Sequence, residues 1–287
     1  MDSLLYRRPP TAFEQFKESP LLFLARKAYY LGINRLIPAV PSFSPVRIVC
    51  ISDTHSHHAD IPRLPEGDIL IHAGDLTHSG TYTELQSALQ WLANQPHPHK
   101  IFIAGNHDLS LEDNDRASLL EAFPSLTYLH ESAIVLTVRG RSLHIYGSPL
   151  TPKHGSWPFQ YPRNAPEEAH WSQIPSQTDV LVTHGPPAYH VDGGSGCRGL
   201  LAVLWNVRPR LHIFGHIHVA RGVEHVTWSR AQAAYERICA GIGGLRDLIV
   251  VVSGIWRRGV IQTTFVNAAS LGGFRDEQRR GAIVVEV

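Results

Sequence analysis

Five short apolar runs in this chain each stop abruptly at polar, ionisable side chains. Val46 to Ile51 runs into Ser52-Asp53-Thr54-His55, and Asp68 to Ala73 into Gly74-Asp75. Ile101-Phe102-Ile103-Ala104 ends in Gly105-Asn106-His107-Asp108. Asp179 to Thr183 ends in His184-Gly185-Pro186-Pro187, and Leu211 to Phe214 in Gly215-His216-Ile217-His218. Apolar runs this short, bounded by turn residues, read as buried strands. The C-terminal ends of such strands suit chemistry, because the sheet fixes the side chains and the loop leaves them open to solvent. Glu84 to Ala93 reads as an amphipathic helix stopped by Pro96 and Pro98, and Arg116 to Phe123 also reads as helical. Strands alternating with helices predict an α/β class. Ala133 to Val138 and Ser142 to Gly147 predict a hairpin across Arg139-Gly140-Arg141, and Thr263 to Ala268 and Ala282 to Val287 predict closing strands.

The residue types at these ends are those of a metal site. Asn-His-Asp at 106–108 offers a neutral oxygen, an imidazole and a carboxylate, although alone it reads equally well as an ordinary turn. In an extended segment, side chains at i and i+2 point the same way. Asp53 and His55 are thereby expected to face one ion, and His216 and His218 to share a face. Histidine is in excess at 18 residues, which raises the expectation of metal binding. His72, inside its strand, reads as a hydrogen-bonded core histidine, and His57 and His58 as loop residues. The segment Ser148 to Trp171, with Trp157, Phe159 and Tyr161, either walls a pocket or holds a surface loop together. The glycine-rich Asp192 to Cys197 loop lacks the Gly-Lys-Ser/Thr of a phosphate-binding loop and reads as a flexible pocket rim.

The remaining segments bound the organisation. At 287 residues, 43% of them hydrophobic, the chain can bury a sizeable core. A net charge of +1 gives no case for stable nucleic-acid binding. Three scattered cysteines, Cys50, Cys197 and Cys239, argue against a disulfide framework and fit a reducing, cytoplasmic setting. No apolar run approaches the length of a membrane span, and the N-terminus lacks a signal-peptide pattern. Residues 1–44 form an N-terminal extension. Within it, Leu21 to Leu36 carries apolar and basic residues at helical spacing, closed by Pro38 and Pro41. It predicts a helix that either packs on the main domain or meets a membrane surface through Arg26, Lys27 and Arg35. Residues 45–287 are expected to form a single domain with a helical insertion at about 224–262. Inside that insertion Ala231 to Ala240 reads as an amphipathic helix, and the apolar Leu245 to Trp256 either packs in a core or meets a partner or membrane surface.

Taken together, the five strand ends resemble the signature of the calcineurin-like metallophosphoesterases: D-x-H, then G-D, G-N-H-D, a lone histidine after a strand, and G-H-x-H, from about Val46 to Val219. Pro65-Glu66-Gly67-Asp68, Gly147-Ser148-Pro149, Trp157, Thr183-His184-Gly185-Pro186-Pro187, Gly196-Cys197 and Val266-Asn267-Ala268 further resemble the metallophosphoesterase-domain-containing subgroup, relatives of the class III cyclic-nucleotide phosphodiesterases. The resemblance implies a four-layer sandwich of two mixed β-sheets flanked by helices. It implies one ion held by Asp53, His55, Asp75 and His218, and another by Asp75, Asn106, His184 and His216, with Asp75 bridging. Imidazole and carboxylate donors without cysteine suit manganese, iron or zinc. The implied activity is hydrolysis of a small phosphoester by in-line attack of metal-bound hydroxide, with phosphodiesters such as cyclic nucleotides as substrates. His107, oriented by Asp108, is expected to protonate the leaving group or else to bond a phosphate oxygen. A phosphomonoesterase or protein phosphatase, or a non-catalytic metal-binding scaffold, is the alternative. Where many relatives carry a second histidine after the lone one, this chain has Gly185, which removes one phosphate contact.

Overall fold

The computed structural model describes residues 10–33, 44–112, 116–163, 167–255, 260–273 and 275–287. Arg35, Pro38, Pro41 and Trp256 lie outside the described residues. The strands are β1 (Arg47–Ile51), β2 (Ile69–Ala73), β3 (His99–Ile103), β4 (Leu126–Tyr128), β5 (Ser132–Val138), β6 (Arg141–Ser148), β7 (Thr151–Pro152), β8 (Gln160–Tyr161), β9 (Val180–Thr183), β10 (Leu211–Phe214), β11 (Gly222–Val226), β12 (Thr263–Asn267), β13 (Leu271–Gly272), β14 (Gln278–Arg279) and β15 (Ile283–Glu286). Two large sheets result, ordered β15-β1-β2-β3-β4 and β11-β12-β10-β9-β6-β5. Both are mixed. β1 to β4 run parallel while β15 lies antiparallel to β1, and β12, β10, β9 and β6 run parallel while β5 returns antiparallel to β6.

Alternation within the strands explains the layering. Ile48, Cys50, Ile69, Ile71, Ile101 and Ile103 of the first sheet meet Leu143, Ile145, Val180, Val182, Leu211, Ile213 and Val266 of the second in one buried core. The neighbouring residues Val49, Ile51, Leu70 and Phe102 face the other way, onto Leu85, Ala88, Leu89 and Leu92 of the helix Tyr82–Ala93. That helix starts on a capping box, in which the Thr81 side chain accepts from Glu84 N and Glu84 reaches back to Thr81 N. The β5–β6 hairpin pairs Val138 with Arg141 across Arg139 (φ 51°) and Gly140 (φ 76°). Two consecutive left-handed residues match the twist of a tight hairpin. The parallel strands therefore deliver their C-terminal ends, and the five polar motifs on them, to one edge of each sheet.

The chain divides into two compact units: residues 40–224 with 262–287, which contain this sandwich, and residues 1–39 with 225–261. The second unit is helical, with helices Ala12–Glu18, Pro20–Ile33, Arg230–Cys239 and Leu245–Gly254. Its core is Ala25, Ala28, Tyr29, Ala234, Tyr235, Ile238 and Val251, and the Tyr29 and Tyr235 rings stack with centroids 3.9 Å apart and planes 3° apart. The apolar segment from Leu245 packs only one side of its helix into that core. Val251 is buried, while Leu245, Ile249 and Val252 are exposed. No helix among the described residues is long and apolar enough to cross a membrane.

Candidate metal centre

The polar strand ends are strained backbone. Asp53 (φ 53°), His55 (φ 41°), Asp75 (φ 55°) and His216 (φ 66°) all occupy the left-handed region, which costs about 1 kcal/mol or more for a residue with a Cβ. This corrects the extended geometry expected of Asp53-Thr54-His55 and His216-Ile217-His218. The chain turns sharply as it leaves each strand, and the loops hold one another in that shape: Asp53 N donates to Gly74 O, His55 N to Asp75 O, and Gly215 N to His184 O. His216 and His218 consequently point to different groups instead of sharing a face. Two glycines let these loops meet. A Cβ on Gly105 would overlap the Asp75 carboxylate, and one on Gly215 would overlap the Asp53 carboxylate and the Ser52 hydroxyl.

Three overlapping clusters of ligand-type atoms result: Asp53, His55 and His218; His55, Asp75 and His107; and Asp75, His184 and His216. In the first, His218 Nε2 lies 3.3 Å from Asp53 Oδ1 and 3.3 Å from His55 Nε2. In the third, His184 Nε2 lies 3.3 Å from Asp75 Oδ2, and Asn106 Oδ1 joins at 3.1 Å from the same nitrogen. Asp75 Oδ2 is also 3.5 Å from His55 Nε2, so a single oxygen reaches both sides. Asp75 Oδ1 accepts from His107 N at 2.8 Å, and His216 N donates to both oxygens of Asp53 at 3.0 Å. Asn267 buttresses the last loop by donating from Nδ2 to Ile217 O (3.0 Å) and Val191 O (3.1 Å).

The outward nitrogens fix how the imidazoles present themselves. His184 Nδ1 lies 2.9 Å from Ala73 O, which can only accept, and His218 Nδ1 lies 2.8 Å from the Asp276 carboxylate. With Nδ1 donating in each case, Nε2 faces the carboxylates inside. Nitrogens and oxygens converging this closely need protons or cations between them. Burial alone would raise Asp53, but the His218 hydrogen bond and the charges of His218 and His184 hold it down at about 2. Asp75 is likewise held far below the carboxylate range: burial would raise it, but His184, joined by His55 and His107, outweighs that. Burial would lower His184 and His218, yet Asp75 lifts the first to about 9, and Asp53, aided by Asp276, lifts the second to about 9. His216 goes down to about 3 through burial and the neighbouring His184. The donor set of imidazole nitrogen, carboxylate oxygen and amide oxygen fits metal ions.

His107 and Asp108 separate. The His107 ring sets Nδ1 2.7 Å from His78 O and stacks on Trp157 with centroids 4.5 Å apart. Asp108 does not orient it. The buried Asp108 carboxylate instead accepts from Gly105 N (2.8 Å), Thr77 N (2.9 Å), Thr77 Oγ1 (2.7 Å) and Leu76 N (3.2 Å), stapling the β2 and β3 loops together. The correction has a simple cause: these donors converge on the carboxylate, while a backbone carbonyl takes the ring nitrogen. Burial, together with the Asp75 charge, pushes Asp108 up to about 6 despite those bonds.

A cavity of about 480 Å3 opens over the centre. Trp157 lines it, whereas Phe159, Tyr161 and Trp171 are buried, so the aromatic segment gives one wall residue and otherwise holds itself together. The Asp192–Cys197 loop is not a flexible rim. None of its residues lines the cavity, and the Asp192 carboxylate ties it down by accepting from Tyr189 N, Gly194 N and Gly196 N. His72 is a core histidine, with Nε2 3.0 Å from Thr54 Oγ1. His57 lines the cavity, and so do residues not expected from sequence, His78, His154, Asp276 and Glu277 among them. His154 packs its ring 4.8 Å from that of His216. Asp276 sits in a charged run, Arg275 to Arg280, in which nothing local in the sequence singles out one residue.

Comparison with known proteins accords with this centre. The profile of the calcineurin-like phosphoesterase family matches residues 46–220. Metallophosphoesterase domain-containing protein 1 of Homo sapiens is 38% identical over 223 residues, covering 66% of this chain and 67% of that protein. Probable rhamnogalacturonate lyase C of Emericella nidulans is 43% identical over 306 residues, and the match takes in 100% of this chain, which spans 29% of that relative's length. A solved structure of a Thermus thermophilus protein superposes with a TM-score of 0.48 at 15% identity, over 65% of this chain and 86% of that one, too loosely to bear on function. Through residues 46–220, this chain belongs to the calcineurin-like phosphoesterase family and groups with its metallophosphoesterase domain-containing members.

Proposed function

We propose that this protein is a metal-dependent phosphodiesterase acting on small diesters such as cyclic nucleotides. Asp53, His55, Asp75 and His218 hold one ion, and Asp75, Asn106, His184 and His216 the other, with manganese, iron or zinc as the metals that suit these donors. The observation that carries the reading is Asp75 Oδ2, within 3.5 Å of His55 Nε2 on one side and 3.3 Å of His184 Nε2 on the other. Such ions supply positive charge for the phosphoryl oxygens and lower the pKa of a coordinated water toward neutrality.

The chain's own groups do the rest. His107, with Nδ1 donating to His78 O, turns Nε2 to the cavity, and in the protonated ring that nitrogen donates to the leaving oxygen. Trp157 keeps the ring upright by stacking and offers an aromatic face to a base or other planar leaving group. Gly185 favours a diester, because a diester presents fewer free oxygens than a monoester and needs one imidazole contact fewer.

A manganese-supplemented assay of bis-p-nitrophenyl phosphate beside p-nitrophenyl phosphate tests the proposal. Faster turnover of the diester is expected. Faster turnover of the monoester contradicts the substrate class, and turnover of neither contradicts the activity. Comparing 2′,3′- with 3′,5′-cyclic nucleotides then narrows the substrate.

A further inference from the structure

The helical unit carries an apolar stripe and a charge surplus that the phosphoesterase centre does not use. On the helix Leu245–Gly254, Leu245 is 74% exposed, Ile249 68% and Val252 41%, at spacings that align them on one side. The helix Pro20–Ile33 repeats the pattern with exposed Leu24 and Leu31 two turns apart. Of the 16 large hydrophobic side chains exposed among the described residues, 10 belong to this unit, which accounts for 76 of the 287 residues. That concentration is not the scattered exposure of an ordinary surface.

Charge sorts the same way. Residues 1–39 and 225–261 hold 11 of the 26 lysines and arginines but only 5 of the 25 aspartates and glutamates, a formal +6. The chain totals +1, so the remainder carries −5. Cations sit within the stripes themselves. Exposed Lys27 lies one turn from both Leu24 and Leu31, with its Nζ 5.7 Å from the centroid of the Phe23 ring, and exposed Arg246 lies one turn before Ile249. The nearby Asp247 is already paired with Arg237. A second copy docking through this face would bring like charge against like. Apolar side chains interleaved with long cations are instead matched by a bilayer of anionic lipid, where the apolar groups enter the acyl boundary and the cations snorkel to the headgroups.

We propose that the helical unit docks on anionic membrane surfaces through Leu245, Ile249 and Val252, with Lys27 and Arg246 meeting the lipid headgroups. Co-flotation of the full chain with phosphatidylcholine vesicles, with and without phosphatidylserine, tests this. Binding to the phosphatidylserine vesicles is expected to exceed binding to neutral ones by about ten-fold and to weaken as salt rises. Both the double variant Ile249→Glu/Val252→Glu and the charge reversal Lys27→Glu/Arg246→Glu should lose about ten-fold or more of that binding. All four positions are exposed, and manganese-supported turnover of bis-p-nitrophenyl phosphate by the variants should stay at the wild-type level. Absence of vesicle binding, equal binding to both lipids, or undiminished binding by the variants overturns the proposal. So does a dimer in light scattering that Ile249→Glu/Val252→Glu dissociates, which would make the stripe a self-interface. The activity control separates failure of membrane docking from failure of the phosphodiesterase reading.

Discussion

Asp276 Oδ1 lies 2.8 Å from His218 Nδ1, across 58 residues of sequence. The short β13–β14 hairpin pairs Leu271 with Arg279 and carries Asp276 at its tip in a left-handed conformation, φ 52°. Its side chain sets the tautomer and the tilt of an imidazole whose other nitrogen points into the metal centre. Asp276→Asn should therefore weaken metal affinity about ten-fold or more while leaving the fold intact. Metal titration followed by calorimetry checks this. Equal affinities for Asp276→Asn and wild type would show that the hairpin does not position His218.

Asp108 and His107 should separate experimentally. Asp108→Ala strips a buried acceptor from four donors and should cost about 3 kcal/mol or more in urea denaturation. His107→Ala should leave stability within about 1 kcal/mol of wild type and slow poor leaving groups far more than good ones. Equal losses for all leaving groups would remove the acid role. If Asp108→Ala left stability unchanged and lowered turnover alone, the carboxylate would be acting on the ring after all.

Gly215→Ala should fail differently. The added Cβ overlaps the Asp53 carboxylate and the Ser52 hydroxyl, both on the β1 loop. The loops must part, Asp53 leaves its place opposite His218, and metal binding should fall by more than about ten-fold at equal secondary-structure content by circular dichroism. Wild-type metal affinity in this variant would contradict the close approach.

Acid sensitivity should come in part from the core of the second sheet. His212 is fully buried in β10 against Thr183, and burial lowers it from 6.5 to about 3. The unfolded chain takes that proton near pH 6.5 and the folded chain only near pH 3. Between these values the unfolded state binds more protons, so stability falls as the pH drops through the window and is level above it. In His212→Gln the slope of unfolding free energy against pH between 4 and 6 should lessen by about 1 kcal/mol per pH unit. An unchanged slope would remove His212 as a source.

The strands and their polar ends could be read from the chain because both signals are local. Short apolar runs such as Ile101–Ala104 fix strands, and a glycine beside Asn106 or His216 marks a tight turn. What the sequence could not convey was non-local or conformational. The left-handed backbone at Asp53 and His55 arises because the β1 and β2 loops bond to each other, and local alternation carries no trace of that. Asp108 looked like the partner of its neighbour in sequence, yet its donors come from Leu76, Thr77 and Gly105 after the fold closes. Asp276 reads as one charge among several until the hairpin sets it against His218. The helical unit was legible as two separate segments, and what joins them is a shared core in which Ala25, Ala28 and Tyr29 pack against Ala234, Tyr235, Ile238 and Val251.

The central claim is that Asp75 serves two ions at once. Metal content per chain, measured by plasma mass spectrometry on wild type and on Asp75→Ala after manganese loading and desalting, tests it most directly. The account expects two ions in the wild type, and loss of both together with diesterase activity in the variant, with the fold retained. Two ions retained by Asp75→Ala, or a single ion in a fully active wild type, would contradict it.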